Sequence, residues 1–299
     1  MIGISPRQLE VFATIAATGS VRAAADCLHL TQPAASMALA GLERRIGVKL
    51  FDRVSQRLHL NECGRNLLPL AQDTLRQLQE IENVSHFAEG QELCGDLHVG
   101  ASNTVGSYRV RELLGDFVSA HPAVGICLAV DNTKHILGKL LDYSLDVGCV
   151  EGPVMQVGMD VLPWREDRLV VCVRPDHPLA HKTPLQPADF ADVRWILREH
   201  GSATRALVEH ELTRLPTGVN VLELGHSEAI KQAVIAGLGL ACLPKVAVRD
   251  ALAVGDIVCL DTPFLDLQRS LSLVLVQGRY RGALIEAFLS SALNAEVAG

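Results

Sequence analysis

The sequence predicts an all-α winged helix-turn-helix at the N-terminus, then a linker helix, then an α/β region of two lobes. Three observations carry this. Between Pro6 and Leu60, three short amphipathic segments follow one another, and the third opens on a polar, capped end. From Glu62 to Gly90 there is no Gly after Gly64, and Pro69 is the only Pro. Beyond Gly90, strand-like apolar runs alternate with helical patterns.

In the first segment Leu9, Phe12, Ala13 and Ala16 recur at helical spacing. Gly19 ends it, and Ser20 is placed to cap a second helix whose inner face is Ala23, Ala24 and Leu28. Thr31 caps the third, Pro33 fits its first turn, and Leu39, Leu42 and Ile46 supply its buried face. This layout implies a major-groove reader. At the exposed start of the third helix, Gln32 can pair with adenine, and Pro33 or Ala34 can touch a thymine methyl. Ser36 suits a phosphate. Arg22, Arg53 and Arg57 suit the backbone or, for Arg57 on the wing, the minor groove. Any one of these arginines alone reads equally as a solvated face; as a set around three helices they favour DNA.

The total charge of −7 looks wrong for such a protein until it is resolved along the chain. Residues 1–65 hold eight Lys/Arg against five Asp/Glu, a local +3, which leaves −10 for the remainder. With 299 residues, 48% hydrophobic and 20% charged, two or three ordinary globular domains are expected. The eight cysteines have no C-x-x-C or zinc-like spacing and sit mostly among apolar residues, so they read as buried reduced thiols without a redox motif. An apolar run follows Arg7, but Glu10 and Thr14 interrupt it, so a helix explains it better than a signal peptide. The apolar run from Ala233 stops at Pro244-Lys245, too short for a bilayer. A cytoplasmic location is expected.

The linker carries a narrow seam of Leu68, Ala71, Leu75, Leu78 and Ile81, with Asp73, Arg76, Gln77, Glu80 and Glu82 on its other faces. Such a seam fits a partner helix, hence a homodimer or homotetramer; packing on its own domain is the alternative. Strands are expected at 96–101, 125–131, 145–151, 169–173, 195–198, 220–224, 240–243, 257–260 and 271–276. Helices are expected at 108–121, 134–143, 204–215, 228–236 and 282–293. The alternation argues for parallel sheets in two lobes, with a ligand cleft between them.

Three helix starts face that cleft in a doubly wound arrangement: Ser102-Asn103-Thr104, Thr133 after Asp131-Asn132, and Ser202 to Arg205 with Thr204 between. Free amides, the positive helix end and hydroxyl donors suit a small anion. Helix capping alone suffices for any single segment, whereas two facing segments favour a ligand. Gly201 allows close backbone approach. Arg205 either supplies a full charge or points to solvent. Glu151 closes a strand at the cleft, where it would repel a dianion but accept a hydrogen bond from a protonated one, favouring bisulfite over sulfate. A hinge cap or an ion pair is its commoner role. His226 either adds a titratable donor or is a satisfied or exposed imidazole.

The first sixty residues resemble the DNA-binding domain of LysR-type transcriptional regulators. The carriers are Leu9 and Phe12, Gly19-Ser20, Ala23-Ala24-Ala25, Leu28, Thr31-Gln32-Pro33-Ala34-Ala35-Ser36, Leu42-Glu43, Gly47, Leu50-Phe51-Asp52-Arg53 and Asn61-Glu62-Cys63-Gly64-Arg65. The chain departs from the pattern at Val54-Ser55-Gln56, where the family has a Gly/Arg-rich turn, and at Cys63, where it has Ala. The resemblance implies dimerisation through the linker and a type-2 periplasmic-binding-protein-like effector domain. Its domains would be 1–61, 62–90 and 91–299, with lobe I at 91–162 and 269–299 and lobe II at 163–268. The segments ASNTVGSY, DNTKHILGKLLDYSLDVGCVEGP, ILREHGSATR and LELGHSEAIKQAVIAGLGLACLP resemble the CysL-like and CbbR-like subgroup. That implies sulfite or a phosphorylated metabolite as effector, at Ser102, Thr104, Thr133, Ser202 and Thr204. It also implies an inverted-repeat double-stranded operator, with RNA polymerase an open further partner and neither cofactor nor metal expected. The cleft alone would also permit an enzyme or a solute-binding protein, but no nucleophile elbow, phosphate loop or metal cluster appears at usable spacing. The DNA reader argues against a transport component, and the cleft against an architectural chromatin protein.

Overall fold

A computed structural model describes residues 3–54, 57–88, 93–216 and 220–295. The chain divides into two compact units, Met1–Leu93 with Gly278–Gly282, and Cys94–Gln277 with Ala283–Gly299.

The first unit opens with α1 (Pro6–Thr18), α2 (Val21–Cys27) and α3 (Gln32–Ile46), followed by the wing strands β1 (Phe51–Val54) and β2 (Arg57–Leu60) and the long α4 (Glu62–Ala88). The caps follow from side chains of the right length. Ser5 and Gln8 form a reciprocal box at α1, while Ser20 and Thr31 accept from the amides of Ala23 and Ala34. Gly19 closes α1 at φ 66°, a left-handed turn that suits Gly. The buried stripe of α1 is Leu9, Val11, Phe12 and Ile15, so Ala13 and Ala16 lie at its margin rather than in it. In α2 the buried pair is Ala24 and Ala25. In α3 it is Ala35, Leu42 and, unexpectedly, Glu43, whose carboxylate accepts from the Leu50 amide (3.1 Å) and from Lys49 (2.6 Å). Asn61 accepts from the Gly64 amide (2.9 Å), and a Cβ at Gly64 would lie 2.2 Å from the Leu50 carbonyl oxygen. Only Gly fits there. Ser55 and Gln56 of the wing turn lie outside the described residues.

The seam of α4 is divided. Leu67, Leu68, Ala71 and Leu75 pack on the helix-turn-helix core, whereas Leu70 and Ile81 are exposed. Packing on its own domain therefore accounts for the first half of the seam.

The second unit contains β3 (Gly95–Ser102), α5 (Asn103–Tyr108), α6 (Val110–Ala120), β4 (Val124–Asp131), α7 (Thr133–Leu141), β5 (Val147–Glu151) and β6 (Met159–Val173). There follow β7 (Arg194–Leu197), α8 (Ala203–Leu212), β8 (Asn220–Glu223), α9 (Ser227–Ile235), β9 (Ala241–Pro244), α10 (Lys245–Val254), β10 (Val258–Leu260), β11 (Gln268–Val276) and α11 (Ala283–Asn294). Two sheets share β6. In lobe I, β3 pairs in parallel with β4 and β5, and β11 joins β5 to β6. In lobe II the second half of β6 pairs with β9 and β10, and β7 with β8. The expectation of parallel sheets fails in lobe II, where β9 and β10 run antiparallel to β6, and at the hinge, where β11 runs antiparallel to both β5 and β6. A chain that leaves and re-enters a lobe on neighbouring strands must run in opposite directions there. The centre of β6 carries Arg165, Glu166, Asp167 and Arg168, and Asp160 and Pro163 interrupt the part before it, which hid that part from periodicity.

Each sheet is covered on both faces, so its strands are apolar on both. Leu271, Leu273 and Leu275 of β11 meet Phe117 and Phe288, while Val274 and Val276 meet Ile136 and Leu140. In lobe II, Val171 and Val173 meet Phe190 and Trp195, and Cys172 on the other face meets Ile230 and Val234. The cysteines depart from expectation. Cys149, Cys172 and Cys242 are buried, with burial pushing their thiols up, whereas Cys27, Cys63, Cys94, Cys127 and Cys259 are exposed, and all eight are free.

Candidate functional site

The register brings three strand ends together. Ser102 ends β3 opposite Asp131 at the end of β4, and the β3–β5 pairing carries Glu151 alongside. Chain reversal at these ends starts α5 at Asn103 and α7 at Thr133, while in lobe II the turn after β7 starts α8 at Ala203.

At the centre lies a buried ionic cluster. One oxygen of the Glu151 carboxylate accepts from the Thr104 amide (3.1 Å), and the other from the Thr204 hydroxyl (2.9 Å) and the Arg269 guanidinium. Arg269 donates to Asp167 (2.7 Å), to the Thr204 hydroxyl (2.8 Å) and to the Thr104 hydroxyl (3.1 Å). Burial raises the Glu151 carboxyl, but Arg269 and the bonds from Thr104 and Thr204 outweigh it and hold the group below its usual range. Glu151 is thus an ionised member of a hinge ion pair, and Arg269 offsets the repulsion it would offer an anion.

Helix capping separates the hydroxyl residues. Asn132 caps α7 and Ser202 caps α8, each accepting the amide three residues on. Ser102, at the cap position of α5, makes no side-chain cap bond. The Ser102 Oγ and Thr133 Oγ1 atoms are buried and have no hydrogen-bond partner among the described residues. Asn103 is 8% exposed on the first turn of α5. A cavity of 1010 Å³ opens at Thr133, lined also by Leu137 and Pro153 from lobe I, Ser202 and Ala206 from lobe II, and Arg269.

Arg205 also lines this cavity, but its charge is already shared: the guanidinium bonds the Arg198 carbonyl (2.8 Å), Glu209 (2.7 Å) and Glu223, and the residue is 8% exposed, so the solvent-facing alternative does not describe it. His226 is exposed and caps α9 by accepting from the Glu228 amide (3.2 Å). Sequence reasoning missed Arg269, Asp167 and the buried Arg198, which bonds Glu199 and Ser227. The only available signal was a charged residue flanking a fully apolar strand.

The lobes meet across the cleft. The Lys134 amide donates to the Gly201 carbonyl (3.2 Å), and the Tyr108 hydroxyl to Glu228 (3.2 Å). Gly201 sits at φ 94°, and a Cβ there would come 3.1 Å from Lys134 Cβ. Burial and the Glu228 carboxylate push the Tyr108 hydroxyl up to about 12.

In the first unit Arg22, Thr31, Gln32, Pro33, Ser36, Arg53 and Arg57 are exposed and Ala34 is half-buried. Met37 is 75% exposed on α3, beside Ser36. Among the described residues no helix is long and apolar enough to cross a membrane, and no cluster of metal-ligating side chains occurs.

A winged helix-turn-helix joined to a two-lobed cleft defines a ligand-responsive DNA-binding regulator. Residues 6–65 match the bacterial regulatory helix-turn-helix protein, lysR family, and residues 90–296 match the LysR substrate binding domain. The chain belongs to the LysR family of transcriptional regulators. It is 40% identical over 269 residues, 90% of each chain, to the Escherichia coli K12 HTH-type transcriptional regulator YeiE, described as uncharacterized. It is 32% identical over 292 residues to the RuBisCO operon transcriptional regulator of Allochromatium vinosum, covering 97% of this chain and 96% of that one. The regulatory domain of Synechocystis PCC6803 CcmR in complex with 2-PG superposes with a TM-score of 0.62 at 30% identity, covering 67% of this chain and 96% of that one. These matches support the CbbR-like subgroup, whose members are regulators rather than enzymes.

Proposed function

We propose that the chain is a dimeric or tetrameric regulator of an inverted-repeat operator, switched by a small oxyanion bound between its lobes. The carrying observation is the pair of buried, unpartnered hydroxyls of Ser102 and Thr133 at adjacent strand ends, beside the cationic Arg269. A buried hydroxyl without a partner costs about 1–3 kcal/mol, and an oxyanion accepting from both would remove that cost. Asn103 and Ser202 complete the ring, with Thr104 and Thr204 orienting Glu151 and Arg269. Glu151 has both oxygens engaged within the chain and stays ionised, so what it offers an anion is its negative charge, which disfavours a dianion and puts bisulfite ahead of sulfate. The 2-PG-bound relative supports a phosphorylated acid as the second reading.

Gln32, Pro33 and Ala34 would read base edges, Thr31 and Ser36 would hold the start of α3 on the backbone, and Arg22, Arg53 and Arg57 would neutralise phosphates. Ile81, exposed on α4, would supply part of the second protomer's contact. Half-site spacing would then be the property that the effector changes.

The test is thermal unfolding of the full chain against sulfite, sulfate, phosphate and 2-phosphoglycolate at fixed ionic strength. Stabilisation that rises with the logarithm of sulfite concentration and is reduced for sulfate is expected. No response to any of the four would reject the anionic effector.

A further inference from the structure

A second cavity lies at the hinge, lined by Arg109, Glu166, Asp167, Arg168, Lys245, Val246, Arg249, Leu252 and Gln268. Its volume of 650 Å³ falls among pockets that take small metabolites. Four of its residues are cations from three elements. Arg109 lies between α5 and α6, Arg168 on β6, and Lys245 and Arg249 one turn apart on α10.

Their partners are unevenly shared. Arg109 bonds Glu112 (2.9 and 3.0 Å) and lies 3.7 Å from Asp167, with its Nε buried and unbonded. Arg168, Lys245 and Arg249 form no ion pair among the described residues, and neither does Glu166. Asp167 is taken by Arg269 (2.7 Å). Lys245 and Arg249 also stand at i and i+4, where like charges destabilise a helix. Three unpaired cations against one unpaired carboxylate leave an excess of positive charge in a concave site.

Two further features give that charge a chemistry. Lys245 and Val246, the first residues of α10, line the cavity, and the cap residue Pro244 makes no side-chain bond to the first-turn amides. Val246 and Leu252 supply an apolar wall. We propose that this cavity is a second anion site, separate from the cleft, that takes a small metabolite carrying two or more phosphate groups. Four cations, three of them without an ion pair among the described residues, exceed what a single oxyanion needs, and they come from β6, from α10 and from the turn between α5 and α6. Asp167 borders this cavity and bonds Arg269 of the cleft, so the two sites share a neighbour.

The test is calorimetric titration of the full-length protein with inorganic pyrophosphate at constant ionic strength. Lys245→Ala/Arg249→Ala and Arg168→Gln, on separate elements and all exposed, are titrated alongside the wild type. Saturable binding by the wild type is expected, weakened at least tenfold in the double variant and at least threefold in Arg168→Gln, with unchanged unfolding temperatures in the absence of ligand. Equal affinity in all three proteins, or no saturable binding by the wild type, would overturn the proposal. So would variants that lose affinity for operator DNA while keeping that for pyrophosphate, which would make the patch a DNA contact.

Discussion

The start of α3 and the floor of the cleft are both polar, yet they are built on opposite principles. Thr31 caps Ala34 across three residues, in the open, and leaves Gln32 and Ser36 exposed. Glu151, Arg269, Thr104 and Thr204 are joined across 47 to 165 residues of chain and are buried together. The first is made by local chemistry and presents itself to a partner. The second is made by the fold and closes on itself, leaving the Ser102 and Thr133 hydroxyls unbonded beside it among the described residues. A surface reader can therefore lose a side chain without losing its helix, whereas the cleft cannot lose an ion without cost to the lobes.

The largest effect is expected at Arg269→Met. It strands the carboxylates of Glu151 and Asp167 in a buried site and should lower stability by about 3–5 kcal/mol in urea unfolding. A loss below 1 kcal/mol would show the cluster to be water-filled or loosely held. Glu151→Gln should be milder, about 1.5–3 kcal/mol, because Arg269 keeps Asp167. It also changes the response to acid. The Glu151 carboxyl is depressed in the folded chain, so its contribution is whole above its ordinary value of about 4.3 and drains away as pH falls through the depressed value. Wild type and Glu151→Gln should converge in stability across that acid window; parallel curves would deny the ion pair its part.

At the other end of the comparison, Gln32→Ala should cost about 1–3 kcal/mol on the preferred operator and little on scrambled DNA. Arg53→Ala should weaken both alike and lower the salt slope by about 1. The reverse pattern in a gel-shift titration would exchange their assignments. The smallest effect is at Thr31→Ala, about 1 kcal/mol of stability from a lost cap, read by thermal unfolding.

The same contrast explains what the sequence revealed. The helix-turn-helix was legible because its signals are contiguous: Ser20 and Thr31 as caps, Gly19 as a stop and Pro33 in a first turn. Even so, Glu43 was not legible as buried, since its partner amide at Leu50 depends on the turn between them. The strands of both lobes were legible where both faces are apolar. The charged centre of β6 and the six-residue α5 were not, because their residues answer to the hinge rather than to a period; α10, whose buried face is Ala247, Val248 and Ala251, was passed over although it has one. Of the cleft, the hydroxyl residues could be found at strand ends, but sequence could not sort caps from unbonded groups. Ser202 and Ser102 look alike until the Arg205 amide is seen to bond one and nothing the other. Arg205 drew notice by its place in the motif and proved to be tied to Glu209 and Glu223, while Arg269, in an unremarked Gln-Arg-Ser, holds the centre.

The most direct test of the account is therefore Ser102→Ala/Thr133→Val in the full chain, titrated with sulfite by calorimetry. Because both hydroxyls are unbonded, the double variant should unfold at or slightly above the wild-type temperature, and its sulfite affinity should fall at least tenfold. Undiminished sulfite binding, or a marked loss of stability without ligand, would contradict the claim that these two hydroxyls are kept for the effector.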